Sequence, residues 1–216
     1  MNLARLLSYV WPVRVWKGNG ASGQLELTWE YGRLVVNSAN ANQSFGSLHR
    51  VWQAAFSDAR IAQQAPKTAL ILGYGAGSAA HILRSELGLD TAITGVDHDE
   101  AMLRLASERF PLDQQEGIEL VRADAFSFVA KCSTTFDLVV VDLFHDLDFV
   151  EGVNDPYFLR SVRRLVSSSG RILLNTVAHD EKSAFRSARL GAELRLVFKE
   201  VKEQHYDVSN RVFIAL

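Results

Sequence analysis

From Thr68 to the end of the chain, short apolar runs alternate with stretches of helical periodicity, and few folds accept that order. "TALILG" reads as a buried strand, followed by a helix from Gly77 to about Leu87. The same pairing recurs in "AITGVD" with "DEAMLRLASERF", "IELVRAD" with "AFSFVAKC", "FDLVVVDLF" with "DPYFLRSVRRLVSS", and "GRILLNTV" with "DEKSAFRSARLG". Strands separated by helices pair in parallel, through right-handed crossovers. The order breaks at the end. "ELRLVFKEV" and "RVFIAL" are two strands joined through "KEQHYDVSN" with no helix between them, which places one antiparallel strand in the sheet. The expected architecture is α/β: a Rossmann-like, seven-stranded, mostly parallel sheet with an antiparallel last strand.

Upstream, "QLELTWEYGRLVVN" alternates Leu25, Leu27 and Trp29 with polar residues and turns at Tyr31-Gly32, so a β-hairpin is expected. "SLHRVWQAAFSDARIA" spaces Leu48, Val51, Trp52, Ala55 and Phe56 as an amphipathic helix from near Ser47, stopped by Pro66. This divides the chain into a hairpin element over 1–46 and a main domain over 47–216. A chain of 216 residues, 48% hydrophobic, supplies one core with a small appendage rather than two full domains. Trp52, Phe56, Tyr157 and Phe158 are expected in that core.

A formal net charge of −2 gives no general attraction to nucleic acid or anionic membrane, and Arg163, Arg164, Arg186, Arg189 and Arg195 read as solvated faces. No run is long enough to span a bilayer. The opening "MNLARLLSYVWPV" lacks a cleavage site and is interrupted by Trp11-Pro12, so no signal peptide is expected. The single cysteine, Cys132, leaves no internal disulfide and fits a reducing, cytoplasmic setting. Trp11, Trp16 and Trp29 crowd a region that one small sheet cannot fully cover, which suggests a homodimer.

Open α/β sheets bind ligands beyond the carboxyl ends of their strands. Four such ends stand out here. The first carries Gly73, Gly75 and Gly77, which permit a tight turn and close backbone approach, or serve the strand-to-helix geometry alone. The second carries Asp97, about 20 residues past the last glycine, an offset at which a carboxylate accepts from ribose hydroxyls. Asp99 fits the cap of the next helix better. The third carries Asp124, which can take an adenine amino group beside the Ala125 N–H, or cap the helix that follows. The fourth carries Asp142, with His145 and Asp146 on the same loop as candidate bases. No Walker lysine and no phosphate anchor accompany the glycines, so an adenosyl sulfonium fits better than a dinucleotide. "FHDLDF" and "DHDE" lack recognisable ligand spacing, and no metal is expected.

From about Leu70 to Thr176 the chain resembles the class I methyltransferase fold and, within it, the spermidine synthase-like branch. "ALILGYGAG" resembles that branch's glycine loop, "GVDHDEAML" its ribose segment, "RADAF" its adenine segment and "FDLVVVDLFHD" its catalytic strand. "NQSFGSLHRVWQAAF" is similar to its N-terminal region, where a glutamine, here Gln43, approaches the methionine part of the cofactor. The resemblance implies S-adenosylmethionine or its decarboxylated form as cofactor, and Asp142 as the residue nearest the transferred group. The aminopropyltransferases of that branch carry an aspartate where this chain has Ala76 and another where it has His145, and their tyrosine-rich polyamine contacts are not evident. Methylation of a small molecule, an amine among the candidates, is therefore the expected reaction. Aminopropyl transfer and a non-catalytic nucleoside-binding module are the alternatives.

Overall fold

A computed structural model of the chain describes residues 2–21, 23–38, 42–112, 114–145 and 148–216. A short helix α1 (Leu3–Leu7) leads into strands β1 (Val13–Gly20), β2 (Gly23–Glu30), β3 (Arg33–Asn37) and β4 (Asn42–Ser44). These form an antiparallel sheet in sequence order, where a two-stranded hairpin was expected. The difference lies in β1. Its "VRVWKGNG" has no apolar alternation and a register shift between Arg14 and Trp16, because it is an edge strand that buries little.

Next come α2 (Ser47–Asp58) and a short α3 (Ile61–Gln64), after which strands and helices alternate. They are β5 (Thr68–Leu72), α4 (Ser78–His81) extended by a π-helical turn over Ile82–Glu86, β6 (Ala92–Asp97), α5 (Glu100–Arg109), β7 (Ile118–Arg122), α6 (Ala125–Lys131) and β8 (Phe136–Val141). A two-residue ribbon, β9 (Phe144–His145) with β10 (Asp148–Phe149), precedes α7 (Pro156–Leu165), β11 (Val166–Val177), α8 (Glu181–Val197), β12 (Val201–Tyr206) and β13 (Asn210–Ala215).

The seven-stranded sheet runs β12-β13-β11-β8-β5-β6-β7. The strands from β11 to β7 pair in parallel, and β13 is antiparallel to both of its neighbours. The expected antiparallel strand is present, but the strand before it is shifted. "ELRLV" continues α8, because Ser183, Ser187, Leu190 and Leu194 keep one helical face buried. "VKEQHY" pairs instead. In the same way α7 stops at Leu165 and β11 takes up "VSSS".

Side chains alternate across the sheet. Leu70, Leu72, Val139 and Val141 pack under α6, α7 and α8, while Ala69, Ile71, Leu138 and Val140 pack under α2 and α4. Trp52, Phe56 and Phe158 join these cores as expected; Tyr157 is 78% exposed, since it lies on the outward face of α7. The N-terminal sheet covers the remaining flank: Leu25, Leu27 and Val36 close over Ala76, Met102 and Leu105. No described helix is long and apolar enough to cross a membrane.

Candidate active site

The sheet's connectivity reverses between β5 and β8. The chain leaves β5 toward β6 and β7, then returns to pair β8 on the other side. The carboxyl ends of β5 and β8 therefore lie side by side at the switch point, where ligands bind in this class of sheet. Leu72 and Asp142 are joined by an N–H···O bond of 2.8 Å from Asp142. Gly73 has φ +81°, and a methyl group there would collide with the Asp142 carbonyl oxygen. Glycine at this position lets the two strand ends meet.

The loop that follows is fully bonded within the protein. Gly73 and Tyr74 donate to the Val96 carbonyl, at 2.9 and 3.0 Å, and Gly77 donates to the Tyr74 carbonyl at 3.0 Å. Gly75 donates to Asp97 Oδ2 at 2.9 Å, and Ala76 donates to Ser44 Oγ at 2.9 Å. Five successive N–H groups are thus committed, so the loop has none to offer a phosphate. The cradle suits a nucleoside rather than a nucleotide.

Asp97 ends β6. Its Oδ2 holds Gly75 and its Oδ1 accepts from the Asp99 N–H at 3.0 Å, while burial raises its pKa. Each oxygen keeps a free lone pair. Asp99 caps α5 through Ala101 and Met102, and its Oδ2 also accepts from the Ala21 N–H at 2.8 Å, tying the N-terminal sheet to the site. Asp124 caps α6, with Oδ1 accepting from the Ser127 N–H at 2.8 Å, and Ala125 opens that helix.

Asp142 lies at the floor. Trp52 Nε1–H donates to Oδ2 at 2.8 Å, and Asn175 Nδ2–H donates to Oδ1 at 2.9 Å. Burial outweighs both donors and, with the nearby Asp97 charge, pushes its pKa up to about 6. That value suits a proton acceptor working near neutrality.

Two adjoining cavities share Gly73, Asp97, His98, Leu143, Phe144 and Val150. The smaller, about 290 Å³, reaches Gln43, Gly75, Asp142 and Asn175; the larger, about 1020 Å³, reaches Asp124, Ala125 and Phe126. Gln43 is held at Nε2 by Ser38 Oγ, 3.1 Å away. Gly77 lines neither cavity: at φ +94° it turns the chain over the Tyr74 ring. The backbone of His145 forms β9, and Asp146 lies outside the described residues.

Some contributors were hidden in the sequence. Asn175 interrupts the apolar run "RILLNTV", which was a usable signal. Trp52 looks like any other apolar residue on its helix, and its indole N–H gave none. The turn after β12 sends Asp207, Ser209 and Asn210 into the smaller cavity. Lys182, Arg186 and Arg189 also line the larger one; of the arginines expected on solvated faces, Arg189 is exposed and Arg186 half-buried at the cavity's edge. Only the folded chain brings these segments to the cleft.

Residues 69–170 match the family model described as a methyltransferase domain. A probable spermidine synthase from Corynebacterium glutamicum superposes over 93% of this chain and 79% of its own, with TM-score 0.77 and 17% identity. The chain has the class I methyltransferase fold. Human methyltransferase-like protein 13, solved with SAH, shares this fold over 79% of the chain and 82% of its own, with TM-score 0.64 and 19% identity. A polyamine aminopropyltransferase of Thermoplasma volcanium is 29% identical over 142 residues, which is 63% of this chain. The chain spans 50% of that relative's length.

Proposed function

We propose that the chain is an S-adenosylmethionine-dependent transferase that methylates a small-molecule acceptor, with Asp142 as the proton-accepting group. The observation that carries this reading is the Asp142 carboxylate, fixed between Trp52 and Asn175 with its pKa pushed up to about 6. The cleft residues fit an adenosyl group. Asp97 offers its free lone pairs to the ribose, Asp124 and the Ala125 N–H face the adenine edge, Phe126 and Leu143 supply apolar walls, and Gln43 reaches the methionine end. When bound, the cofactor supplies a methyl group already activated for displacement by its sulfonium. The chain's part is to align the acceptor, exclude water and take its proton at Asp142. His145 and Asp146 follow on the same loop and belong to this reading as auxiliary bases, as do the division at residue 46, a cytoplasmic setting and a homodimer.

Aminopropyl transfer is the second reading. The smaller cavity carries Asp97, Asp99, Asp142 and Asp207, with no lysine or arginine among its described lining residues. Such a surface suits decarboxylated S-adenosylmethionine, which keeps an amine and has lost its carboxylate. Competitive binding of the two cofactors to purified protein, with product analysis on amine and acid acceptors, separates the readings. Methylated product with S-adenosylmethionine is expected. At least tenfold tighter binding of the decarboxylated form, with putrescine converted to spermidine, would establish the second reading instead.

A further inference from the structure

The positive charge of the cleft is confined to one wall. The smaller cavity is acidic, whereas all the lysine and arginine on the described lining lies in the larger one and comes from a single element. Lys182, Arg186 and Arg189 stand four and three residues apart on α8, a spacing that puts them on one helical face. Arg186 already has an interaction partner. Lys182 makes no ion pair within contact distance, but its charge adds to the hydrogen bonds from Ser183 in lowering the pKa of the nearby Asp180, and Arg189 makes no ion pair among the described residues. The four acids of this cavity, Asp97, Asp124, Glu151 and Asp155, keep their negative charge but lie off α8. Asp97 is held by two backbone N–H groups, and Asp124 and Asp155 are occupied as caps of α6 and α7; Glu151 alone is neither capping nor held in this way.

A cavity of about 1020 Å³ lies at the upper end of the range for small-molecule sites, about 300–1000 Å³, and exceeds what an adenosyl group fills. It connects to the reacting end through Leu143, Phe144 and Val150, which line both cavities. We infer that the acceptor is anionic at its far end, with a carboxylate or phosphate held by Lys182 and Arg189 while its nucleophile reaches Asp142. This deepens the methyltransferase reading and rests on it. Arginine presents a planar fork that matches either oxyanion, and lysine adds a point charge. The same wall disfavours a polycation by placing like charge in its path.

The test uses the whole protein, first saturated with S-adenosylhomocysteine and then without it. Calorimetric titrations compare inorganic phosphate, citrate and spermidine against the wild type and a Lys182→Glu/Arg189→Glu variant. Phosphate or citrate is expected to bind the wild type, more weakly as salt rises, and at least tenfold more weakly in the variant. Tighter binding of phosphate assigns a phosphate ester, and of citrate a carboxylate. Spermidine is expected to bind the variant better than the wild type. Equal anion binding by both proteins, no anion binding at all, or spermidine as the tightest ligand of the wild type would overturn the inference. Failure of S-adenosylhomocysteine to bind would remove the underlying transferase reading instead, and the titrations without it still report on the α8 wall. Unchanged S-adenosylhomocysteine affinity in the variant shows that its fold and cofactor subsite survive.

Discussion

At Asp142 two opposing effects meet, and their balance sets a measurable pH. Burial favours the protonated acid, while the indole of Trp52 and the amide of Asn175 favour the carboxylate. The folded-state pKa of about 6 lies above the ordinary carboxylate value, so the proton-accepting form is lost as pH falls through 6. The transfer rate should therefore rise with pH to a plateau above that value. Trp52→Phe removes a donor to the charged form. The acid limb should then move to higher pH, a shift that loss of packing alone would not produce. A pH–rate profile with its limb unmoved in Trp52→Phe would remove Asp142 from the role of base. The sequence offered Asp142 as the end of its most apolar strand, and Asn175 as the polar break in another. The hydrogen bond from Trp52 was illegible, because it joins residues 90 positions apart and depends on how α2 crosses the sheet.

The glycine loop and the N-terminal sheet hold each other in place. Ser44 Oγ accepts the Ala76 N–H, Ser78 Oγ accepts the Phe45 N–H at 2.7 Å, and the Ala76 methyl group is wholly buried among Leu25, Leu27, Val36, Met102 and Leu105. Ser44→Ala leaves a buried N–H without an acceptor and should cost about 1–3 kcal/mol in chemical denaturation. Ala76→Asp introduces a charge with no partner into that apolar cluster and should cost about 3–5 kcal/mol. A folded Ala76→Asp protein of wild-type stability would contradict this packing. An aspartate at this point is therefore expected to disturb the closure of the N-terminal sheet over the loop. The alternation from Thr68 onward was legible because each strand and helix buries one regular face. The end of α8 was not, since "ELRLVF" satisfies both periods and only the packing of Leu190 and Leu194 decides between them. Strand β1 escaped notice because an edge strand has little apolar pattern to show.

At the scale of the molecule, an apolar surface lies exposed on the N-terminal region among the described residues. Leu3, Leu6, Leu7, Val10, Trp11 and Val15 are exposed, Trp11 at 75%, beside the free edge of β1. Of the three tryptophans that suggested a dimer, Trp16 and Trp29 are partly covered by their own domain, Trp29 under Arg5. The proposed dimer would therefore rest on Trp11 and its neighbours. Light scattering at micromolar concentration should give twice the mass of 24.0 kDa, and Trp11→Ser with Val10→Ser should return the monomer. A monomeric wild type would place this surface outside any self-association.

In the proposed reading, the switch point between β5 and β8 receives an adenosyl group whose ribose is bound by Asp97. Calorimetry with S-adenosylhomocysteine tests it most directly. One molecule should bind per chain, and Asp97→Ala, which removes the ribose acceptor together with the loop's anchor at Gly75, should cost about 1–3 kcal/mol, or roughly 5- to 150-fold in affinity. No binding to the wild type, or equal binding by the Asp97→Ala protein, would contradict the account.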